Sequence, residues 1–324
     1  MGAITDVSGI KVGHADDLDG LTGCTVILCP LGTVGGLDRR GGGVSTRQTD
    51  SLDLMHLAEE VHAVVLAGGS AFGTEASTGV QHYLEERGVG LDVRVTRVPI
   101  VPTAILFDLG LGEPGVRPDA AMGRAACEAA SGDPPAEGNA GAGMGATLGN
   151  ILGPDGAMKS GVGSASVELG HGIVIGALLA VNPFGDVIDP ESGDIVAGAR
   201  RSEEDGGGFA DTREVLRGRI GAGKLGFGSS ENTVIGVVAT NAKLNKRDCT
   251  KLAQMAQVGV ARSVRPAHTM FDGDALIALA TGEHEVDVNI LGTFGAEVVA
   301  EAIQRAVKAA EAAGGLPAWQ DFQS

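Results

Sequence analysis

The sequence predicts a single α/β sandwich in which layers of strands pack against helices. Apolar residues make up 43% of the 324 residues, enough to bury a sizeable core. Two sets of short aliphatic runs indicate two layers of strands, and helical patterns lie before, between and after them. No internal repeat is present, so a single domain over residues 1–324 fits better than two separate ones.

Small residues dominate the predicted core. The chain has 53 glycines, whereas aromatic residues account for only 3%. Glycine and alanine let backbones approach closely, so we expect tight contacts between neighbouring elements and a core of Ala, Val, Leu and Ile.

The first half of the chain predicts strands that alternate with helices. Residues 24–29 form an apolar run that Pro30 ends, and residues 63–67 form another that leads into a glycine-rich turn. An amphipathic helix to Arg87 should follow that turn, a short helix at about 51–59 should precede it, and a further helix is expected over 117–131.

The second half predicts the same alternation. A strand over 172–181 should end at Asn182–Pro183, and residues 184–231 are typical of a flexible linker because they are rich in glycine and charge. The remaining predicted elements are a strand over 234–240, a helix over 246–263 capped by Asn245, a strand over 275–280 and a last helix over about 291–313.

Charge and motif content argue against several function classes. The net charge of -17 and the lack of any Lys/Arg run longer than two predict no nucleic-acid partner. The longest uncharged apolar run, 173–183, is too short for a bilayer, and the N-terminus has no basic, apolar leader. We therefore expect no membrane partner and a cytoplasmic protein.

No cofactor or metal is predicted. The glycine-rich turn at 68–73 lacks the Gly-x-Gly-x-x-Gly pattern of dinucleotide sites, and no phosphate-binding Gly-x-x-x-x-Gly-Lys pattern occurs. The seven histidines are dispersed and the four cysteines form no Cys-x-x-Cys, so neither a metal centre nor a disulfide framework is indicated.

Thr233 is the candidate nucleophile. It begins a β-branched run directly after Asn232, which many threonines do for reasons of strand propensity alone. A threonine hydroxyl is too weak an acid to attack an amide unaided, but a free α-amine on the same residue is a suitable base. Such an amine exists only if the chain is cut before Thr233. An N to O acyl shift at Asn232–Thr233, followed by hydrolysis, would make that cut.

Other polar residues allow both a structural and a functional interpretation. Lys159 is almost alone as a positive charge between residues 125 and 199. It is either a solvated loop lysine or one drawn into a cleft, where its pKa would fall. Asn182 before Pro183 is common turn chemistry, and Asp272 and Asp274 around a glycine fit an Asp-Gly turn.

Six ordered motifs nevertheless resemble the DmpA-type aminopeptidases, which are self-processing hydrolases. This family includes β-peptidyl aminopeptidases and the nylon-oligomer endohydrolase. The motifs span nearly the whole chain and cover residues 4–14, 66–73, 141–144, 159–166, 232–235 and 265–274.

The resemblance implies a four-layer αββα sandwich of N-terminal nucleophile type, cut into a large subunit 1–232 and a small subunit 233–324. By position, Asn182 would hold the oxyanion, and Asp272 and Asp274 would orient the amine of Thr233. The nylon-oligomer hydrolase has a lysine where this chain has Asn150, and the aminopeptidases have a tyrosine near Ala146 or Thr147. We hypothesise that Lys159 supplies the missing polar group.

These observations predict a hydrolase that processes itself and cleaves amides through an acyl-Thr233 intermediate. Its substrates would be small peptides, amino-acid amides or oligoamides, and an aminopeptidase and a 6-aminohexanoate oligomer hydrolase are both open. Alternatives are an acyltransferase of the same fold and an uncleaved, non-catalytic binding protein. The resemblance also implies a homotetramer of processed heterodimers.

Overall fold

The structure is a computed structural model that describes residues 2–220 and 232–323. The strands in these residues are β1 Lys11–Asp17, β2 Thr22–Leu28, β3 Val34–Arg39, β4 Thr46–Arg47, β5 Ala63–Ala67, β6 Leu91–Asp92, β7 Arg97–Val98, β8 Thr103–Ile105, β9 Thr147–Leu148, β10 Met158–Lys159, β11 Val162–Glu168, β12 Val174–Asn182, β13 Asp186–Ile188, β14 Ile195–Ala197, β15 Thr233–Ala242, β16 Val264–Arg265 and β17 Ala275–His284. The α-helices are α1 Ala76–Glu85, α2 Ala120–Ala129, α3 Thr212–Gly218, α4 Lys246–Ser263 and α5 Val288–Lys308.

Two five-stranded sheets form the centre of the protein. The first has the strand order β1-β2-β5-β8-β4 and the second has the order β11-β12-β15-β17-β3. Within the second sheet, β15 and β17 run parallel, and α4 lies between them in the chain as the crossover that parallel strands require. The neighbouring β12 is antiparallel to β15 and brings Asn182 opposite Thr233.

Helices cover the outer face of each sheet. Helices α1 and α2 pack on the first sheet, and α4 and α5 pack on the second. Three apolar clusters fill the spaces between these layers, with Val65 and Val80 under α1 and α2, Leu66 and Ile235 between the sheets, and Val238 and Leu252 under α4 and α5. The predicted four-layer αββα sandwich is therefore confirmed.

The crossing of α1 and α2 shows why small residues are abundant. A Cβ added to Gly79 would lie 1.8 Å from the carbonyl oxygen of Ala120, and one added to Gly123 would lie 2.0 Å from that of Ala76. Only glycine allows the two helix backbones to approach this closely. The expectation of close backbone packing is confirmed at this contact.

Several predicted elements are confirmed and others are wrong. The strand over 63–67 and the helix over 246–263 have the predicted bounds, and the Asn245 side chain accepts from the backbone N–H of Asp248 as an N-cap. The predicted helix at 51–59 is instead a 3₁₀ turn, Thr49–Leu52, because its apolar residues Leu54 and Met55 point to solvent.

The predicted linker over 184–231 is partly wrong. It contains β13, β14 and α3, and Asp186 anchors α3 by accepting from the backbone N–H and the hydroxyl of Thr212. Residues 221–231, the last part of this linker prediction, lie outside the described residues. In the part of the chain that is described, no helix combines the length and apolarity needed to cross a membrane.

Candidate active site

Thr233 and Asn182 lie side by side at the end of the layer between the two sheets. They are paired in the β12–β15 register, and both are buried, with exposed fractions of 5% and 0%. Side chains alternate along a strand, so Thr233 shares the face of Ile235 and Val237, whose side chains fill the space between the sheets. Asn182 shares its face with Leu178 and Ala180 of the same cluster.

The carbonyl oxygen of Asn232 accepts two hydrogen bonds. The Thr233 hydroxyl donates to it at 2.5 Å, and the backbone N–H of Gly273 donates to it at 2.8 Å. A Cβ at residue 273 would lie 2.8 Å from the Thr233 Oγ1, so glycine leaves room for the hydroxyl. A nucleophile and a polarising donor therefore meet at the peptide bond between Asn232 and Thr233.

Asp272 and Asp274 place buried carboxylates on either side of Gly273. Asp272 accepts from the backbone N–H of Phe184 at 3.0 Å and from the backbone N–H and hydroxyl of Thr269 at 2.9 and 2.6 Å. Burial, followed by the charge of Asp274, raises the pKa of Asp272 to about 6. An Asp-Gly turn at the surface does not account for these contacts, because both side chains are only 1% exposed.

Asp274 connects the strand of Thr233 to a histidine. Its Oδ1 accepts from the backbone N–H of Val234 at 2.7 Å. Its Oδ2 accepts from the backbone N–H of His268 at 3.0 Å and pairs with the Nδ1 of the same residue at 2.8 Å. His268 lies inside the 265–274 motif, but its sequence position alone predicts no role for it.

A network of amides connects Asn182 to Asn232. The Asn182 Oδ1 accepts from the backbone N–H of Thr147 at 2.7 Å, and its Nδ2 donates to the carbonyl oxygen of Phe107 at 3.2 Å. Asn150 donates through its Nδ2 to the Asn232 Oδ1 at 2.9 Å and to the Thr147 hydroxyl at 3.3 Å. Asn150 therefore holds the side chain that precedes Thr233.

Lys159 is fully buried behind this network. Its Nζ donates to the carbonyl oxygens of Gly143, Ala146 and Ser160 at 2.9, 3.0 and 2.5 Å. Burial lowers the pKa of Lys159 to about 7, against the opposing effect of the Asp108 charge. Three acceptors match the three N–H groups of the ammonium form, so the geometry is that of the charged side chain. The solvated-loop interpretation of Lys159 is wrong, and its hydrogen bonds reach the segment before Thr147 instead of Thr233.

A cavity of about 380 Å³ lies beside this network. Thr147, Asn150 and Asp108 line it, together with Arg200 and a glycine pair at 314–315. Asp108 accepts from the Thr22 hydroxyl at 2.7 Å and from the backbone N–H of Gly69 at 2.6 Å, and burial raises its pKa. The sequence predicts no role for Asp108, whose only signal is a carboxylate at the end of an apolar run.

No group of His, Cys, Asp and Glu side chains among the described residues is arranged to hold a metal ion. The polar groups at Thr233 are a hydroxyl, amides and carboxylates. This set is suited to nucleophilic and acid–base chemistry on a carbonyl.

Comparisons with known proteins identify relatives of the whole chain. The chain is 40% identical over 357 residues to an uncharacterised aminopeptidase of Mycobacterium leprae (strain TN), a match that covers 98% of this chain and 93% of that protein. It is 31% identical over 325 residues to the 6-aminohexanoate-oligomer endohydrolase of Kocuria sp. (strain KY2), covering 94% and 85%.

Two solved structures share the fold. A Burkholderia sp. beta-aminopeptidase matches with a TM-score of 0.71 at 24% identity, covering 97% of this chain and 89% of that one. The L-aminopeptidase D-Ala-esterase/amidase of Ochrobactrum anthropi, described as a variant of the Ntn hydrolase fold, matches with a TM-score of 0.72 at 22% identity, covering 98% and 88%.

The family model settles the resemblance that the six motifs predict. The model described as Peptidase family S58 matches residues 2–318, nearly the whole chain. The predicted membership of the DmpA-type group and the predicted class, an amide hydrolase, are confirmed. The chain belongs to Peptidase family S58.

Proposed function

We propose that the protein cleaves itself between Asn232 and Thr233 and then hydrolyses amide bonds with Thr233 as its N-terminal nucleophile. The main support for this proposal is a pair of hydrogen bonds to the carbonyl oxygen of Asn232. The Thr233 hydroxyl and the Gly273 N–H both contact the carbonyl oxygen of Asn232. The family supports the reaction class, and the geometry supports the choice of nucleophile.

Self-cleavage starts when the Thr233 Oγ1 attacks the carbonyl carbon of Asn232. The negative charge that develops on the carbonyl oxygen is stabilised by the Gly273 N–H, whose 2.8 Å distance suits an oxyanion donor. The new C–O bond replaces the C–N bond, and the hydroxyl proton passes to the amine of Thr233. Water then hydrolyses the ester, which leaves a carboxylate on Asn232 and a free α-amine on Thr233.

Turnover repeats this chemistry on a substrate. The α-amine of Thr233 takes the hydroxyl proton while the Oγ1 attacks the substrate carbonyl. Asn182, opposite Thr233 in the sheet, and the Gly273 N–H would hold the oxyanion. The substrate C–N bond breaks, the leaving amine takes the proton, and water releases the acyl group from Thr233.

The remaining predicted site residues would position the nucleophile and the oxyanion donors. Asp274 fixes the start of β15 through Val234, and Asp272 fixes the turn that presents the Gly273 N–H. We assign Lys159 an indirect role, because its ammonium holds the segment whose Thr147 contacts Asn182.

A small amide with a free amino group is the substrate class that the cavity supports best. Asp108 lies in the wall of the cavity, where a substrate ammonium would favour its charged form against the burial that raises its pKa. The relative named as an aminopeptidase supports this choice. The relative named for 6-aminohexanoate oligomers supports a second candidate, an oligoamide hydrolase. The processed homotetramer and the cytoplasmic location stay predictions.

Substrate profiling tests this function. Purified protein is incubated with amino-acid amides, β-peptides and aminohexanoate oligomers, and the released amine is measured. The acyl-enzyme is trapped by rapid acid quenching and located by mass spectrometry. We expect turnover of at least one class with the acyl group on Thr233. Transfer of the acyl group to an added amine in preference to water would support the acyltransferase alternative.

A further inference from the structure

The side chain of Asn232 occupies a defined position before the chain is cut. Its Oδ1 accepts from the Asn150 Nδ2 at 2.9 Å, and Asn232 itself is only 2% exposed. Asn150 also lines the cavity that contains Asp108. The residue before the cleavage point is therefore held by a residue of the cavity wall.

Self-cleavage and turnover pass through the same kind of intermediate. When Thr233 attacks the Asn232 carbonyl, the product is an ester on the Thr233 Oγ1 whose acyl group is Asn232. When Thr233 attacks a substrate, the product is an ester whose acyl group is the substrate residue. One nucleophile and one oxyanion donor serve both reactions, so the acyl side chains should occupy the same position. The position of the Asn232 side chain is therefore the position expected for the substrate side chain.

We infer that Asn150 is a specificity-determining residue that binds the acyl-side residue of the substrate and favours a short side chain bearing a carbonyl oxygen, as in asparagine. This inference rests on the proposed function and names the substrate class that the site accepts. The Asn150 Nδ2 donates to the carbonyl oxygen of that side chain. A leucine side chain has nearly the same shape but offers no acceptor to this partly buried donor.

The surroundings of Asn150 hold its amide in place. Asn150 follows Gly149, whose φ of +75° suits glycine and whose Cβ, if present, would lie 2.4 Å from the backbone nitrogen of Ala199. The Thr147 hydroxyl lies 3.3 Å from the Asn150 Nδ2 and 3.5 Å from its Oδ1, so it helps to hold the side chain in place. Preorganisation of this kind makes a hydrogen-bonding site selective.

A double-mutant cycle tests the contact during self-cleavage. Asn150→Leu, Asn232→Leu and the double variant are made by cell-free synthesis, and cleavage is timed by intact mass. Each single variant should slow cleavage about tenfold, because the hydrogen bond between the two side-chain amides is lost. The double variant should be slowed clearly less than the product of the two single effects, because the hydrogen bond between the two residues is lost only once. Effects that simply multiply would contradict the inference.

A matched substrate pair tests the same residue during turnover. Asparagine and leucine p-nitroanilides have acyl side chains of nearly equal shape, and kcat/KM is measured for both. The wild type should prefer asparagine, and the processed Asn150→Leu variant should lose about tenfold of that preference. Asn289→Leu is the control, since Asn289 is exposed at the start of α5 and should leave the ratio unchanged.

The outcomes separate this inference from the proposed function. If Asn150→Leu processes itself and cleaves both substrates with an unchanged ratio, the inference is wrong while the proposed function stands. If wild-type protein neither processes itself nor cleaves any amide, the proposed function fails, and the inference fails with it.

Discussion

His268 Nδ1 lies 2.8 Å from Asp274 Oδ2, and the other oxygen of that carboxylate accepts from the backbone N–H of Val234. The imidazole is thus connected through one carboxylate to the residue after the nucleophile. A charged Asp274 carboxylate can only accept hydrogen bonds, so with this charge state the ring donates through its Nδ1.

We predict that His268 acts as a positioning residue for Asp274. His268→Ala should slow self-cleavage and lower kcat about tenfold, because a hydrogen bond to a charged group is lost. His268→Asn should restore most of both rates, since its Nδ2 can replace the Nδ1 donor. KM should change little in either variant. Equal defects in the Ala and Asn variants would show that loss of the side-chain N–H donor to Asp274 does not cause the defect.

The identity of the nucleophile gives a second prediction. Thr233→Ala should abolish both self-cleavage and amide hydrolysis, because no hydroxyl remains to form the ester. Thr233→Ser should retain both, since its hydroxyl has the same chemistry. Intact mass and substrate turnover are measured on the same samples. Processing of the alanine variant at the normal rate would assign the nucleophile elsewhere.

Gly273 gives a third prediction, from its closeness to the Thr233 hydroxyl. A methyl group at residue 273 would lie 2.8 Å from the Thr233 Oγ1 and 3.1 Å from the carbonyl oxygen of Gly43. Gly273→Ala should therefore displace the hydroxyl or the oxyanion donor and slow self-cleavage roughly 100-fold. Gly132→Ala, where no atom lies within 4 Å of the new Cβ, is the matched control.

The carboxylate pair gives a fourth prediction, which concerns how folding stability depends on pH. The pKa of Asp272 is raised from 3.8 to about 6 in the folded protein by burial and then by the charge of Asp274. Between these values the folded state binds a proton that the unfolded state has released. Stability from this group is therefore present below pH 4 and is lost as the pH rises to 6.

Asp272→Asn should remove this decrease in folding stability with rising pH. Urea unfolding of the wild type and of the variant at pH 5 and pH 7 measures the difference. Relative to the variant, the wild type should lose about 1 kcal/mol between pH 5 and pH 7. To keep a single state in the comparison, both proteins carry Thr233→Ala. Parallel pH dependence in the two proteins would contradict the raised pKa of Asp272.

Local sequence patterns predict much of this fold. Strand β5 and helix α4 follow from an apolar run and from a capped amphipathic repeat, which depend on neighbouring residues only. The helix expected at 51–59 fails because nothing in the sequence shows that Leu54 and Met55 stay in solvent. The pairing of β3 with β17 joins Leu37 to Ile277, and such distant pairing has no local signal.

The candidate site likewise contains some residues that the sequence predicts and others that it does not. Asn232 and Thr233 are found because a polar pair stands where a glycine-rich stretch meets a strand, and Asn182, Asp272 and Asp274 are found by resemblance. Asn150, Asp108 and His268 acquire their roles only through contacts with segments far away in the chain or through the shape of a loop. The spacing of these residues in the sequence does not predict those contacts.

Intact mass of freshly purified protein tests the central claim most directly. If Thr233 is a latent N-terminus, the active protein contains two chains, residues 1–232 and 233–324, and the second begins with an unblocked threonine. A single chain with the mass of all 324 residues, persisting in protein that hydrolyses amides at full rate, would contradict the account.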